Sequence, residues 1–89
     1  MNKVLINGEN FKNELDVHQF LKSNMSLPDY YGDNLDALWD LLGEVTEPTE
    51  IVIKDVHEFI DNLGDCAKDF IYLFDDAQRE NEFINFKIL

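Results

Sequence analysis

The sequence predicts a single α/β domain in which a three-stranded parallel sheet carries helices packed on it. Three observations lead there. Three short apolar runs with strand character, Val4-Leu5-Ile6, Ile51-Val52-Ile53 and the alternating Ile84, Phe86, Ile88, lie far apart in the chain. The segments between them repeat apolar residues at helical spacing, and strands separated by helical connections pair in parallel through crossovers. Size is the third: 89 residues with 45% hydrophobic content supply one compact core and are too few for two, so residues 1–89 form one domain.

Each element follows from its own residues. Val4-Leu5-Ile6, ended by Asn7-Gly8, is a continuous apolar run that fits a strand buried on both faces. From about Glu14 to Ser23, Val17, Phe20 and Leu21 recur on one face while Gln19 and Lys22 lie outside it, an amphipathic helix. Leu27-Pro28 closes the connection after it. Leu35, Leu38, Trp39 and Leu42 make a second helical stripe, with Asp33 as its N-cap and Gly43 as its stop. The loop Glu47-Pro48-Thr49 leads into the strand at Ile51. Val56, Phe59, Ile60 and Leu63 mark a short third helix ended by Gly64. Ala67, Phe70, Ile71, Phe74 and Ala77 mark a longer fourth one, to about Asn81. The closing run alternates with Asn85 and Lys87, the period of a half-exposed edge strand. The seven phenylalanines are expected to supply much of the core.

Charge and composition exclude several functions. Nineteen acidic against 7 basic residues give a net charge of -12, which repels nucleic acid and anionic membranes and attracts a cationic protein. The start, Met1 to Gly8, has only a three-residue apolar run. A signal peptide needs roughly 7 to 15 apolar residues and a membrane span about 20, so a cytoplasmic location is expected. Cys66 is alone and is expected to be a reduced, buried or half-buried thiol. His18 and His57 have no Cys or His at ligand spacing and are expected at the surface or at helix caps. A calcium loop beginning at Asp33 fails, because Leu35 and Leu38 occupy positions that need a ligand and a glycine. Glycoside hydrolysis by paired carboxylates finds little room for a sugar cleft and no motif fixing an acid and a base. The chain has no glycine-rich phosphate loop, serine elbow or CxxC. No catalytic residue, cofactor or metal is expected.

What remains is a concentration of negative charge. Between Lys22 and Lys54 there is no basic residue, while Asp29, Asp33, Asp36, Asp40, Glu44, Glu47 and Glu50 all fall there. Asp33, Asp36 and Asp40 share a helical face at spacings of three and four. Like charges at i, i+4 are mildly destabilising, and Asp40 and Glu44 near the helix C-terminus also oppose the macrodipole. A solvated face is one reading of the cluster, and a capping box is another for Asp33 and Asp36. Asp40 has no structural role of that kind. Upstream, Pro28-Asp29-Tyr30-Tyr31-Gly32 puts two aromatics at the helix entrance, where one can be core and the other exposed. Aromatic anchors beside fixed charges are enriched in protein interfaces.

The run Leu27-Pro28-Asp29-Tyr30-Tyr31-Gly32-Asp33-Asn34-Leu35-Asp36-Ala37-Leu38-Trp39-Asp40 resembles the signature helix of the barstar family, inhibitors of barnase-type bacterial ribonucleases. The similarity extends to Val4 through Glu9, to His18-Gln19 with Leu21-Lys22, and to the last helix and closing strand. It implies the same three-stranded parallel sheet, and an inhibitor whose second helix and preceding loop plug the nuclease active site. On the resemblance, Asp40 stands where the substrate phosphate would, and Asp36 faces an enzyme arginine. Tyr30 packs on the catalytic histidine, while Gly32, Asn34, Leu35 and Trp39 complete the contact. Asp76 falls where the family has a glutamate paired with an enzyme lysine. The implied partner is a basic, extracellular-type ribonuclease bound one-to-one by an inhibitor that is a monomer when free.

There are departures from the family pattern. Glu44 stands where the family contact has a tryptophan, in a loop one residue shorter, and the family cysteines are missing at Leu41 and around Glu82. Pro48 matches a proline that can adopt a cis bond, an alternative the sequence leaves open. A second reading is an acidic nucleic-acid mimic or immunity protein that neutralises a different basic target or toxin.

Overall fold

The computed structural model describes residues 2–89. In chain order the elements are β1 (Asn2–Asn7), a one-turn 3-10 helix (Gly8–Asn10), α1 (Glu14–Asn24), α2 (Leu35–Gly43), β2 (Thr49–Lys54), α3 (Val56–Leu63), α4 (Asp65–Glu80) and β3 (Ile84–Ile88). The sheet order is β1-β2-β3 and both pairings are parallel, so the predicted fold class is the observed one.

Register shows which face of the sheet is the core. Val4 pairs with Ile51 and Ile51 with Phe86, Ile6 with Ile53, and Thr49 with Ile84. Because side chains alternate along a strand, these residues share one face. That face joins Val17 and Leu21 of α1, Leu38 and Leu42 of α2, Phe59 of α3 and Phe70 and Phe74 of α4 in one cluster. All four helices therefore contribute to a single core against this side of the sheet.

The opposite face is exposed along its two edge strands, with only Val52 buried at its centre among its described residues. Leu5 is 45% exposed there, beside Lys3, Glu50 and Lys87. The expectation that the first strand is buried on both faces was wrong for this reason: β1 is an edge strand, and the helices pack against the other side. Only β2, the central strand, has three consecutive buried apolar residues, Ile51-Val52-Ile53. Val52 belongs to the outer face, flanked in register by Leu5 and Lys87. β3 is the other edge, as its alternation predicts.

At single residues the structure corrects His18 and Phe83 and agrees with the expectations for His57 and Cys66. His18, expected at the surface or at a cap, is fully buried and 5.1 Å ring to ring from Phe70. It lies between Val17 and Leu21 on the inward stripe of α1 and is accommodated because both ring nitrogens find partners. His57 is exposed on α3. Phe11, Phe59, Phe70 and Phe74 are buried and Phe20 and Phe86 half-buried, but Phe83 is exposed in the turn before β3. Among the described residues no peptide bond is cis, so the bond before Pro48 is trans. Cys66 is free and half-buried. Burial, then the charges of Glu14 and Asp69, raise its thiol above the ordinary cysteine range.

Candidate functional site

The loop before α2 turns back on itself where the Tyr31 N–H donates to the Pro28 carbonyl at 2.9 Å. The two tyrosines then point opposite ways. Tyr31 is 5% exposed and Tyr30 is 83% exposed, so the pair divides into one core ring and one solvent-facing ring.

The Tyr31 hydroxyl is hydrogen-bonded to Nδ1 of His18, and Nε2 of His18 lies 3.1 Å from Oε2 of Glu14. A carboxylate only accepts, so Nε2 carries the proton; in the neutral ring Nδ1 then accepts from the tyrosine O–H. Burial, followed by the charges of Asp33 and Glu14, pushes the Tyr31 hydroxyl well above the ordinary tyrosine range and keeps it a donor.

The N-cap of α2 is Asn34, one residue later than predicted. Asn34 Oδ1 accepts from the Ala37 N–H at 2.8 Å, and its Nδ2 donates to the Gly32 carbonyl at 3.1 Å. Asp33 sits at φ 52 and has one carboxylate oxygen buried without a partner, so it cannot serve as cap, and the capping-box reading of Asp33 and Asp36 fails with it. At the other end Gly43 is the last helical residue but does not adopt the left-handed conformation. The Glu44 N–H closes the helix onto the Leu41 carbonyl at 3.1 Å.

Capping and the buried Leu38 and Leu42 fix which side of α2 faces solvent. Asp36, Asp40 and Glu44 stand exposed at intervals of four, with Trp39 39% exposed among them. Asp36, in the first turn, is favoured by the positive end of the helix dipole; Asp40 and Glu44, at the other end, are not. Among the described residues none of the three is in an ion pair. Gly32 and Asn34 are exposed at the entrance of the helix and Leu35 is half-buried.

α4 borders this surface. Asn81, just past its end, donates through Nδ2 to the Leu42 carbonyl at 3.0 Å and to the Val45 carbonyl at 2.9 Å. It thus holds the C-terminal end of α2 in place. A surface cavity of about 300 Å³ lies between the helices, lined by Trp39, Asp40, Glu44, Ala77 and Glu80. Asp76 is exposed one turn before Glu80 and lies 3.6 Å from Arg79, which also pairs with Asp75 at 2.7 Å.

Sequence reading missed Asn81, Glu80 and the buried role of His18. For His18 the signal was present, since it precedes Leu21 by three and follows Glu14 by four. Asn81 had none, because its partners are 36 and 39 residues away in sequence. Chemically, the surface offers fixed carboxylate acceptors beside aromatic faces, a set that suits guanidinium, ammonium or imidazolium groups.

Comparison with known proteins identifies the family. The sequence model of the family described as "Barstar (barnase inhibitor)" matches residues 1–89. The chain is also 42% identical over 81 residues to a protein of Bacillus subtilis (strain 168) named "Putative ribonuclease inhibitor YrdF", covering 90% of this chain and 89% of that one. With the family matched from end to end and its three-stranded parallel sheet and helices in place, this chain belongs to the barstar family.

Proposed function

We propose that the chain binds and blocks the active site of a basic microbial ribonuclease of the barnase type, in a one-to-one complex, and is not itself an enzyme. The observation that carries this reading is the row Asp36, Asp40 and Glu44, exposed along α2 around Trp39, without an ion pair among the described residues and preceded by a loop with Tyr30 exposed. A ribonuclease must hold phosphate with Arg, Lys and His, and carboxylates satisfy the same donors while offering no bond to cleave. In this reading Asp40 takes the place of the phosphate, Asp36 meets an arginine, and Tyr30 and Trp39 are the aromatic anchors. Gly32, Asn34 and Leu35 shape the loop side of the contact, and Asp76 is an outlying carboxylate on α4.

The family description and the name of the relative support inhibition of a ribonuclease. The charge of -12 supports a basic partner, because opposite charge steers encounter; the barnase–barstar pair itself is the known instance of such steering. A free monomer in the cytoplasm fits a partner that is destined for export. Among the described residues no helix is long and apolar enough to cross a membrane.

The test is a titration of several barnase-type ribonucleases with the purified protein. Activity should fall linearly to zero at one equivalent, and the protein alone should cleave no RNA. Full activity at large molar excess, across all the enzymes, contradicts the reading. Binding without inhibition would favour a module that neutralises a different basic target.

A further inference from the structure

The loop of residues 27–34 holds a conformation that its own backbone does not favour. Asp33 is a non-glycine residue at φ 52, in the left-handed region that most side chains avoid. A Cβ on Gly32 would come within 2.9 Å of Nδ2 of the Asn34 side chain, so the chain passes close over the capping side chain. Something must hold these residues in place. At the two ends, the Leu27 N–H donates to the Lys22 carbonyl at 3.0 Å and Asn34 caps α2. In the middle, the buried side chain is Tyr31, hydrogen-bonded to His18, which is itself buried beside Phe70 and bonded to Glu14.

We infer that His18 is a positioning residue of the binding surface: through the Tyr31 hydroxyl it latches the loop to α1 and so holds Tyr30 out as a preformed anchor. This rests on the ribonuclease-binding reading for its effect on affinity. Tyr30 and Tyr31 are adjacent in sequence and opposite in exposure, so fixing the Tyr31 ring in the core fixes the backbone from which Tyr30 projects to solvent. An anchor already in its bound position loses less freedom on association, and its contribution to affinity is retained. A loop that is competent only part of the time weakens apparent affinity by the competent fraction. The buried histidine therefore acts on a partner it never touches.

Two variants separate this from a merely structural role. Tyr31→Phe keeps the ring and removes the donor. His18→Asn keeps an acceptor close to the position of Nδ1 and removes the imidazole from its packing against Phe70. In the free protein, amide hydrogen exchange at residues 27–34 reads the latch with no partner present. Tyr31→Phe should speed exchange there and leave β2 and α4 protected, whereas His18→Asn should lower Tm and leave the loop protected.

Binding to a barnase-type ribonuclease supplies the second readout. Tyr31→Phe should weaken affinity about tenfold in the parent chain and less than about twofold in a Tyr30→Ala background, with the same loss of Tm in both. An equal loss of affinity in both backgrounds, or unchanged loop exchange in Tyr31→Phe, overturns the latch. A parent chain that binds no ribonuclease, with the exchange results as expected, overturns the functional reading and leaves the latch as a property of the loop.

Discussion

Glu50 and Asp40 come from the same lysine-free stretch of sequence, yet the fold gives them opposite surroundings. Glu50 lies on the open face of the sheet, between Lys3 at 3.7 Å and Lys87 at 3.5 Å, so each neighbouring strand lends it a cation. Asp40 lies on the exposed side of α2 with Asp36 and Glu44 one turn away on either side and no cation in an ion pair with it among the described residues. The outer face of the sheet neutralises its charge internally, whereas the α2 carboxylates have no such partner among the described residues. Like charges one turn apart on a helix cost a little stability, and an exposed ion pair returns about as little.

The largest expected effect is on the α2 side. On the proposed reading Asp40 is desolvated against the partner's cations in a complex, and removing one member of a buried ion pair costs about 3–5 kcal/mol. Asp40→Ala should therefore weaken inhibition by more than about a hundredfold. In the free protein the same change relieves repulsion with Asp36 and Glu44 and with the negative end of the helix dipole, so Tm should hold level or rise slightly. Inhibition titration and differential scanning calorimetry on one preparation read both.

Leu38→Ala sharpens the contrast from the core side of the same helix. Leu38 is fully buried, and truncating such a side chain costs about 2–5 kcal/mol of stability through lost burial and the cavity left behind. For a domain of this size Tm should fall by on the order of 10 °C, with the folded protein still inhibiting. Calorimetry showing no loss of Tm would take Leu38 out of the core.

Salt acts on the unpaired region more than on the paired one. Raising ionic strength from about 0.05 to 0.5 M shortens the Debye length from above to below about 10 Å. Association measured by stopped flow should slow markedly while dissociation changes less. Rates independent of salt would remove steering from the account and leave the aromatic anchors.

The smallest effect belongs to Glu50. Its lysines are exposed, so Glu50→Gln should lower stability by no more than about 1 kcal/mol and leave inhibition as it is. If Glu50→Gln weakens inhibition as Asp40→Ala does, the division between the two faces is wrong.

The sequence read alone could not make this division. All seven acids between Lys22 and Lys54 looked alike there, because the lysines that neutralise Glu50 come from strands 47 residues earlier and 37 later, brought beside it only by parallel pairing. What periodicity reports was legible: the three strands and four α-helices, the edge position of β3, and the inward stripe of α2, though not the one-turn 3-10 helix at Gly8–Asn10. What depends on conformation at one residue was not. The N-cap moved from Asp33 to Asn34 because Asp33 takes a left-handed φ, and composition does not announce that. Leu5 reads as buried in a run of three apolar residues, and only the one-sided packing of the helices exposes it.

If the carboxylates of α2 occupy the phosphate-binding site of a ribonuclease, as proposed, a ligand of that site must compete with the protein. The affinity of the protein for a barnase-type enzyme would be followed as a nucleoside monophosphate is raised to saturate the active site. Apparent Kd should rise in proportion to one plus the ratio of nucleotide concentration to its own Kd, and this dependence should weaken in Asp40→Ala. An affinity unchanged at saturating nucleotide would place the contact away from the phosphate site and contradict the account.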